Sequence, residues 1–182
     1  MLQTWENPPM TFPEGSSIGQ FDGTWWVAHT RARQEKAFAR DLVRRQIRYF
    51  LPLVEKTTVI RGRKFTVPTC LFSSYVFVCS SEDERVDALK GNRLAGGIRV
   101  ADQAKLAREL RAIQKALSSR ARLDPWPYLV RGRRCRITAG PFAGIEGIVS
   151  RRKGTTHVVL SVESLGRAVA LEVDAALVET AD

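Results

Sequence analysis

The sequence predicts an α+β domain, an antiparallel sheet with flanking helices, followed by a small all-β barrel. Three observations carry this. Between residues 24 and 118, short apolar runs of period two are interleaved with stretches whose apolar residues recur at helical spacing. Asp124-Pro125 and Trp126-Pro127 then interrupt the helical pattern. From 130 to 179 only short alternating runs remain, separated by turn residues such as Gly140-Pro141-Phe142-Ala143-Gly144 and Gly147. A length of 182 residues suits one ordinary domain or two small ones.

The elements follow in order. Residues 1–23, with Pro8-Pro9, Pro13 and Gly15-Ser16-Ser17, are predicted to be a disordered lead-in. Residues 24–118 form the first domain. It begins with a strand at 25–30 and a helix at about 34–46. In that helix Phe38, Ala39, Leu42 and Val43 share one arc, and Arg33, Lys36, Arg40 and Arg44 the opposite one. A second strand is predicted at 50–54, then a hairpin over 57–66 that is β-branched on both sides of Arg61-Gly62-Arg63 and so has a basic tip. Residues 71–79 make the strongest strand. A short helix at 82–91 ends at its glycine. After a strand near Ile98-Arg99-Val100, Asp102 is placed to cap a helix whose Leu106, Leu110, Ile113 and Leu117 form one stripe.

Residues 119–128 are predicted to be a linker and 129–182 the second domain. There Cys135 and Ile137 alternate with Arg134 and Arg136, and Val169, Leu171 and Val173 with Ala168, Ala170 and Glu172. One side of each strand is expected to face inward. About 50 residues lie near the lower limit for independent folding. Such a unit suits recognition better than an active-site cleft.

Composition narrows the partners. With 29 Lys and Arg against 19 Asp and Glu the chain carries +10, which favours an acidic partner. The first domain holds 19 bases and 9 acids, the second 8 and 6. The electrostatic footprint therefore belongs to the first domain. Cys70, Cys79 and Cys135 show no CxxC pairing and no nearby His, so they read as small buried hydrophobes in a reducing compartment. Neither a signal-like start nor a run long enough to span a membrane is evident, and a cytoplasmic protein is expected. His29 and His157 stand apart from any nucleophile, carboxylate pair or metal-ligand spacing. The expectation is a binding protein, not an enzyme, with no metal and no cofactor.

Three sets of residues stand out. Tyr75, Phe77 and Cys79 point to one side of the strongest strand, Val76 and Val78 to the other, so both sides need cover. Phe72, Tyr75 and Phe77 then either line an apolar cavity that receives a partner or are ordinary core. Arg31, Arg33, Lys36, Arg40 and Arg44 line a phosphate path or a solvated helix face. Phe142, at the tip of a Gly-Pro/Ala-Gly turn, is a binding aromatic or folds back over the barrel end.

Trp25-Trp26-Val27, the basic helix, Arg61-Gly62-Arg63-Lys64 and Leu71-Phe72-x-x-Tyr75-Val-Phe-Val resemble the N-terminal (NGN) domain of the NusG family of transcription elongation and antitermination factors, most closely its specialised RfaH-like branch. Gly140-Pro141-Phe142-Ala143-Gly144-Ile145-x-Gly147 and Leu165-Gly166-Arg167 resemble that family's KOW domain, an SH3-like barrel. Ser73-Ser74 stand where the family usually has Pro-Gly, and Ser164 where it has an apolar contact residue.

The resemblance implies a monomer whose first domain docks an apolar cavity, with Trp25, Phe72, Tyr75 and Phe77, onto the clamp helices of RNA polymerase and suppresses pausing. It further implies that Arg31 and Arg44, with Arg33, Lys36 and Arg40 nearby, meet the non-template DNA strand. Phe142 and Ile145 would meet a ribosomal protein or the termination factor Rho. Two other readings remain: a ribosome- or RNA-associated KOW protein, and an adaptor that recruits Rho for termination. The β-branched run His157-Val158-Val159-Leu160-Ser161-Val162 predicts a second domain that stays β rather than switching to helix.

Overall fold

Val76, Phe77, Val78 and Cys79 are all fully buried, so their strand has to lie inside a sheet that is covered on both sides. The computed structural model, which describes residues 7–180, builds that sheet in the first of two compact units, divided between Gln103 and Ala104. The first unit contains β1 (Thr11–Phe12), β2 (Thr24–Thr30), α1 (Glu35–Arg44), β3 (Arg48–Phe50), β4 (Leu53–Ile60), β5 (Arg63–Cys70), β6 (Tyr75–Ser80), α2 (Glu82–Leu89) and β7 (Leu94–Arg99). Its five-stranded sheet runs β1-β3-β6-β2-β7, every pair antiparallel.

Pairing of Trp26 with Val78 and Ala28 with Val76 puts these side chains on one face, together with Tyr49. Phe38, Ala39 and Leu42 of α1 and Ala88 of α2 join them in one buried cluster. The helical arc read from the sequence is thus the arc that packs. The reverse face carries Trp25, Val27, Phe50, Phe77 and Cys79, through the pairs Trp25–Cys79, Val27–Phe77 and Phe50–Phe77. Ser81 starts α2 through a capping box in which its hydroxyl accepts from the Glu84 amide and Glu84 accepts from the Ser81 amide. β4 and β5 form a separate two-stranded ribbon, closed by Arg61 and Gly62 with φ of 49° and 77°. Both turn residues are left-handed, as a tight hairpin of this hand requires.

Residues 7–23, expected to be disordered, are instead built into the unit. β1 extends the sheet, the Tyr49 hydroxyl donates to the Pro9 carbonyl at 2.9 Å, and the Leu51 amide donates to the Met10 carbonyl at 2.7 Å. Ile18, in a short 3-10 turn capped by Ser17, is 2% exposed. The turn-rich composition is real, but partners about 40 residues away satisfy its backbone. The part of that prediction covering residues 1–6 lies outside the described residues.

The second unit holds most of α3 (Gln103–Ser118), then β8 (Leu123–Trp126), β9 (Arg134–Ile137), β10 (Glu146–Arg152), β11 (Thr155–Val162), β12 (Arg167–Val173) and β13 (Val178–Thr180). The six strands form an antiparallel sheet ordered β13-β9-β10-β11-β12-β8. Two features depart from expectation. β8 falls inside the predicted linker, 119–128, and pairs with β12 from Leu123–Leu171 to Trp126–Ala168. Its Pro125 is tolerated because β8 is an edge strand. Also, Ala168, Val169, Ala170 and Leu171 are all buried, where alternation predicted one inward side. Trp126, Tyr128, Val130 and Ile148 pack over the small residues Ala168 and Ala170 beside Val159.

Gly147 is a point of close approach between β10 and β11. A Cβ there would sit 2.5 Å from the Val159 carbonyl oxygen and 2.7 Å from Cγ1 of Val158. The expected result for Gly147→Ala is a loss of about 1–3 kcal/mol in urea unfolding, because β10 and β11 must separate to admit the methyl group.

Candidate functional site

Phe72, Tyr75 and Phe77 gather around the start of β6, whereas Trp25 lies opposite Cys79 toward its other end. Phe72 and Phe77 meet edge to face with centroids 5.9 Å apart, and Phe77 stacks on Phe50 at 6.3 Å. Trp25 stacks on Phe21 at 5.5 Å, and Tyr75 on His29 at 5.1 Å. Trp25 and Phe72 are each 5% exposed, Phe77 is fully buried, and Tyr75 is half-buried. Tyr75 is therefore the ring of this set with most surface to offer.

A turn over Ser73 and Ser74 delivers the chain into β6. Ser74 has φ of 69°, a conformation that costs a non-glycine residue about 1–2 kcal/mol. Two hydrogen bonds hold it. The Ser74 amide donates to Oε1 of Glu35 at 2.6 Å, and the Ser74 carbonyl accepts from the Thr30 amide at 2.8 Å. Glu35 is only 8% exposed, so a carboxylate at the first turn of α1 acts as an internal staple between helix and strand. Sequence reasoning missed it, because a Glu at a helix start reads as ordinary dipole complementation. Burial beside Glu35 also pushes the Cys70 thiol up to about 11, and burial pushes Cys79 to about 11. Neither supplies a thiolate at neutral pH.

The basic residues divide by what their charges already do. Arg31 and Arg33 are exposed ahead of α1. Lys36 is half-buried and donates through Nζ to Oδ1 of Asn7 at 2.7 Å and to the Pro68 carbonyl at 2.5 Å, tying β5 to α1. Arg44 donates to Oδ1 of Asp41 at 2.5 Å while half of its side chain stays in solvent. Arg40 is half-buried on the same helix.

A cleft of about 490 Å³, lined by Arg31, Ala32, Gln34, Asp41, Asn92 and Arg93, lies beside this helix. Arg93 was not singled out from the sequence. Its guanidinium donates to Oδ2 of Asp41 and, at 2.8 Å, to Oε1 of Gln34. The Arg31 amide donates to the Arg93 carbonyl at 2.8 Å, joining the two strand ends across the sheet. No local pattern could reveal a cation brought alongside by the pairing of β2 with β7. Planar guanidiniums and amide groups around a shallow cleft are suited to a phosphate or a base edge.

In the second unit Phe142 is half-buried and Ile145 is 1% exposed. The turn is fixed by the Gly144 amide donating to the Ile137 carbonyl at 2.6 Å and Lys115 donating to the Ala143 carbonyl. Ile145 thus anchors the loop that presents Phe142. Among the described residues no group of three or more His, Cys, Asp or Glu is placed to hold a metal ion, and no helix is long and apolar enough to cross a membrane.

Comparison with known proteins gives one family. The family described as transcription termination factor nusG matches residues 23–116, more than half of the chain, from β2 through most of α3. No curated protein matches. Among solved structures, one described as the crystal structure of an MjSpt4:Spt5 complex, conformation B, is similar at 17% identity over 86% of this chain and 95% of that one. Its TM-score of 0.28 carries no argument about this fold.

Two substitutions test the staple at the aromatic strand. Glu35→Ala leaves the Ser74 amide without its acceptor and is expected to cost about 1–3 kcal/mol in thermal or urea unfolding. Ser74→Gly removes the left-handed penalty and is expected to raise stability by about 0.5–1 kcal/mol in the same assay.

Proposed function

The chain belongs to the NusG family of transcription elongation and termination factors, and from that premise we propose that it binds RNA polymerase through the reverse face of its first sheet and modulates elongation without performing chemistry. The supporting observation is the aromatic face that lies opposite α1 and α2. Trp25, Phe50 and Phe77 on that face are buried and back Tyr75, which is half-buried at the start of β6 and is the ring of this face offered to a partner. Rings of this size dominate the energetics of protein interfaces. The partner surface is the pair of clamp helices of the polymerase. The result is a clamp held closed around nucleic acid, with pausing suppressed, in the manner of an RfaH-like specialised factor acting in the cytoplasm as a monomer.

The basic side of α1 serves the same complex. Arg31, Arg33, Arg40 and Arg44 offer phosphate contacts to the non-template DNA strand, with Lys36 contributing its remaining charge. Arg93 belongs with them, since it shares the cleft with Arg31. Asp41 holds both Arg44 and Arg93. A phosphate approaching the cleft therefore competes with a carboxylate already in place, which favours a weak, salt-sensitive contact. In the second unit, a KOW domain recruits a further protein through Phe142 on its anchored loop, with Ile145 beneath, a ribosomal protein or Rho being the candidates.

Polymerase retention tests the reading. Tyr75→Ala is expected to weaken retention of RNA polymerase by about 2 kcal/mol while leaving the urea midpoint nearly unchanged. Undiminished retention would remove the aromatic face from the interface. For the basic side, Arg31→Ala with Arg44→Ala should flatten the salt dependence of single-stranded DNA binding by about 0.7 per lost phosphate contact. A slope that does not move assigns these charges to solubility.

A further inference from the structure

We propose that residues 16–22 are a lid over Trp25, hinged at Gly15 and Gly23, which the partner of the first sheet must lift. The inference rests on the reading above in taking the reverse face of that sheet as the docking surface. It adds that one end of this surface is shut in the free chain. The family match starts at residue 23, so the family does not account for the segment ahead of it. The path of the chain brings that segment over the docking face. β1 runs along β3, with Phe12 packed against the cluster that α1 and α2 share with the sheet. The residues that follow lie on the reverse face. There Ile18 is 2% exposed, and the half-buried Phe21 ring lies on Trp25 with 12° between their planes. The family resemblance places Trp25 in the polymerase contact. A ring that is 5% exposed has nothing to offer a partner until Phe21 moves.

The segment is built to move as one piece, because much of its hydrogen bonding closes on itself. The Ser16 amide donates to the Pro13 carbonyl at 3.2 Å, the Gln20 amide to the Ser17 carbonyl at 2.9 Å and the Phe21 amide to the Ile18 carbonyl at 3.3 Å. The Ser17 amide donates to Oε1 of Gln20 at 3.1 Å. A turn bonded in this way swings without orphaning these backbone groups. Its ties to the sheet include the apolar side chains of Ile18 and Phe21 and, in solvent, the Arg48 guanidinium on the Asp22 carbonyl at 2.8 Å. Glycines bracket it. Gly15 and Gly23 have φ of 75° and 136°, and a Cβ on Gly23 would sit 3.2 Å from the Ser80 backbone. Glycine at both ends of a short, self-bonded segment gives a hinged lid the backbone freedom it needs. Opening exposes Ile18, Phe21 and Trp25 to water together, so the closed form dominates in the free chain. A partner that seats on half-buried Tyr75 and extends along β6 re-buries Trp25, and that difference in affinity shifts the lid. Tyr75 is met first and Trp25 second.

The test uses the full chain and two measurements. Exchange of the Trp25 indole N–H with water is followed by NMR, and retention of RNA polymerase is measured alongside. Phe21→Ala is expected to speed the indole exchange and to strengthen polymerase retention, each about threefold to tenfold, since apparent affinity rises with the open fraction. Weaker retention would make Phe21 a docking ring in its own right and overturn the lid. Unchanged indole exchange would make the segment plain scaffold and overturn it as well. So would faster exchange without tighter retention in a chain whose retention responds to Tyr75→Ala, because the partner then never meets Trp25. Phe21→Leu keeps the burial and loses the stack, and it decides if Phe21→Ala lowers the urea midpoint. If Tyr75→Ala leaves polymerase retention untouched, the polymerase reading fails by itself, and the indole exchange alone judges the lid.

Discussion

The two-sided burial of β6 is the constraint on which the first unit depends. A strand with Val76 and Val78 on one side and Phe77 and Cys79 on the other is stable only when both sides are dry. On one side α1 and α2 meet this demand with a stripe of Phe38, Ala39, Leu42 and Ala88. On the other lies an aromatic layer, Phe50 on Phe77 and Phe72 edge-on to it, whose rings are themselves buried. Local details follow from that layer. The chain must turn sharply to bring Phe72 next to Phe77, and a serine in the left-handed region makes the turn where glycine would be easier. Glu35 stabilises the strained position by hydrogen bonding, so the start of the basic helix and the start of the aromatic strand are one structural unit.

The electrostatics are not uniform across the chain. Lys36, Arg44 and Arg93 already bind carbonyls, an amide or Asp41. Each new contact they make exchanges an existing one, which lowers its net worth. Among the described residues the cations of the β4–β5 ribbon form no ion pair with a carboxylate.

Elements whose signal is local were legible. The apolar arc of α1, the hairpin around Arg61-Gly62, the aromatic strand, and the buried alternation of Cys135 and Ile137 against exposed Arg134 and Arg136 all read directly from spacing. So did the family, through motifs in the first domain. The misread segments share a cause. Residues 7–23 are rich in prolines, glycines and polar residues, and β8 contains Asp124-Pro125, which predict irregular chain when taken alone. Each is ordered by a strand far away in sequence: β1 by β3, and β8 by β12. The candidate site was read in the same uneven way. Arg31 and Tyr75 were visible, while Glu35 and Arg93 gained their roles from pairing across the sheet.

By itself the sequence determined which residues prefer helix or strand, where positive charge accumulates, and which strand must be enclosed, because these depend on periodicity and composition within a few residues. Tertiary structure alone decided that Glu35 would hold Ser74, that Arg93 would stand beside Arg31, that Lys36 would hold Pro68, and that the β4–β5 ribbon would pair with no strand of the five-stranded sheet. Those outcomes turn on register and on contacts between residues 30 to 60 positions apart, where one shifted pair would move every side chain to the opposite face.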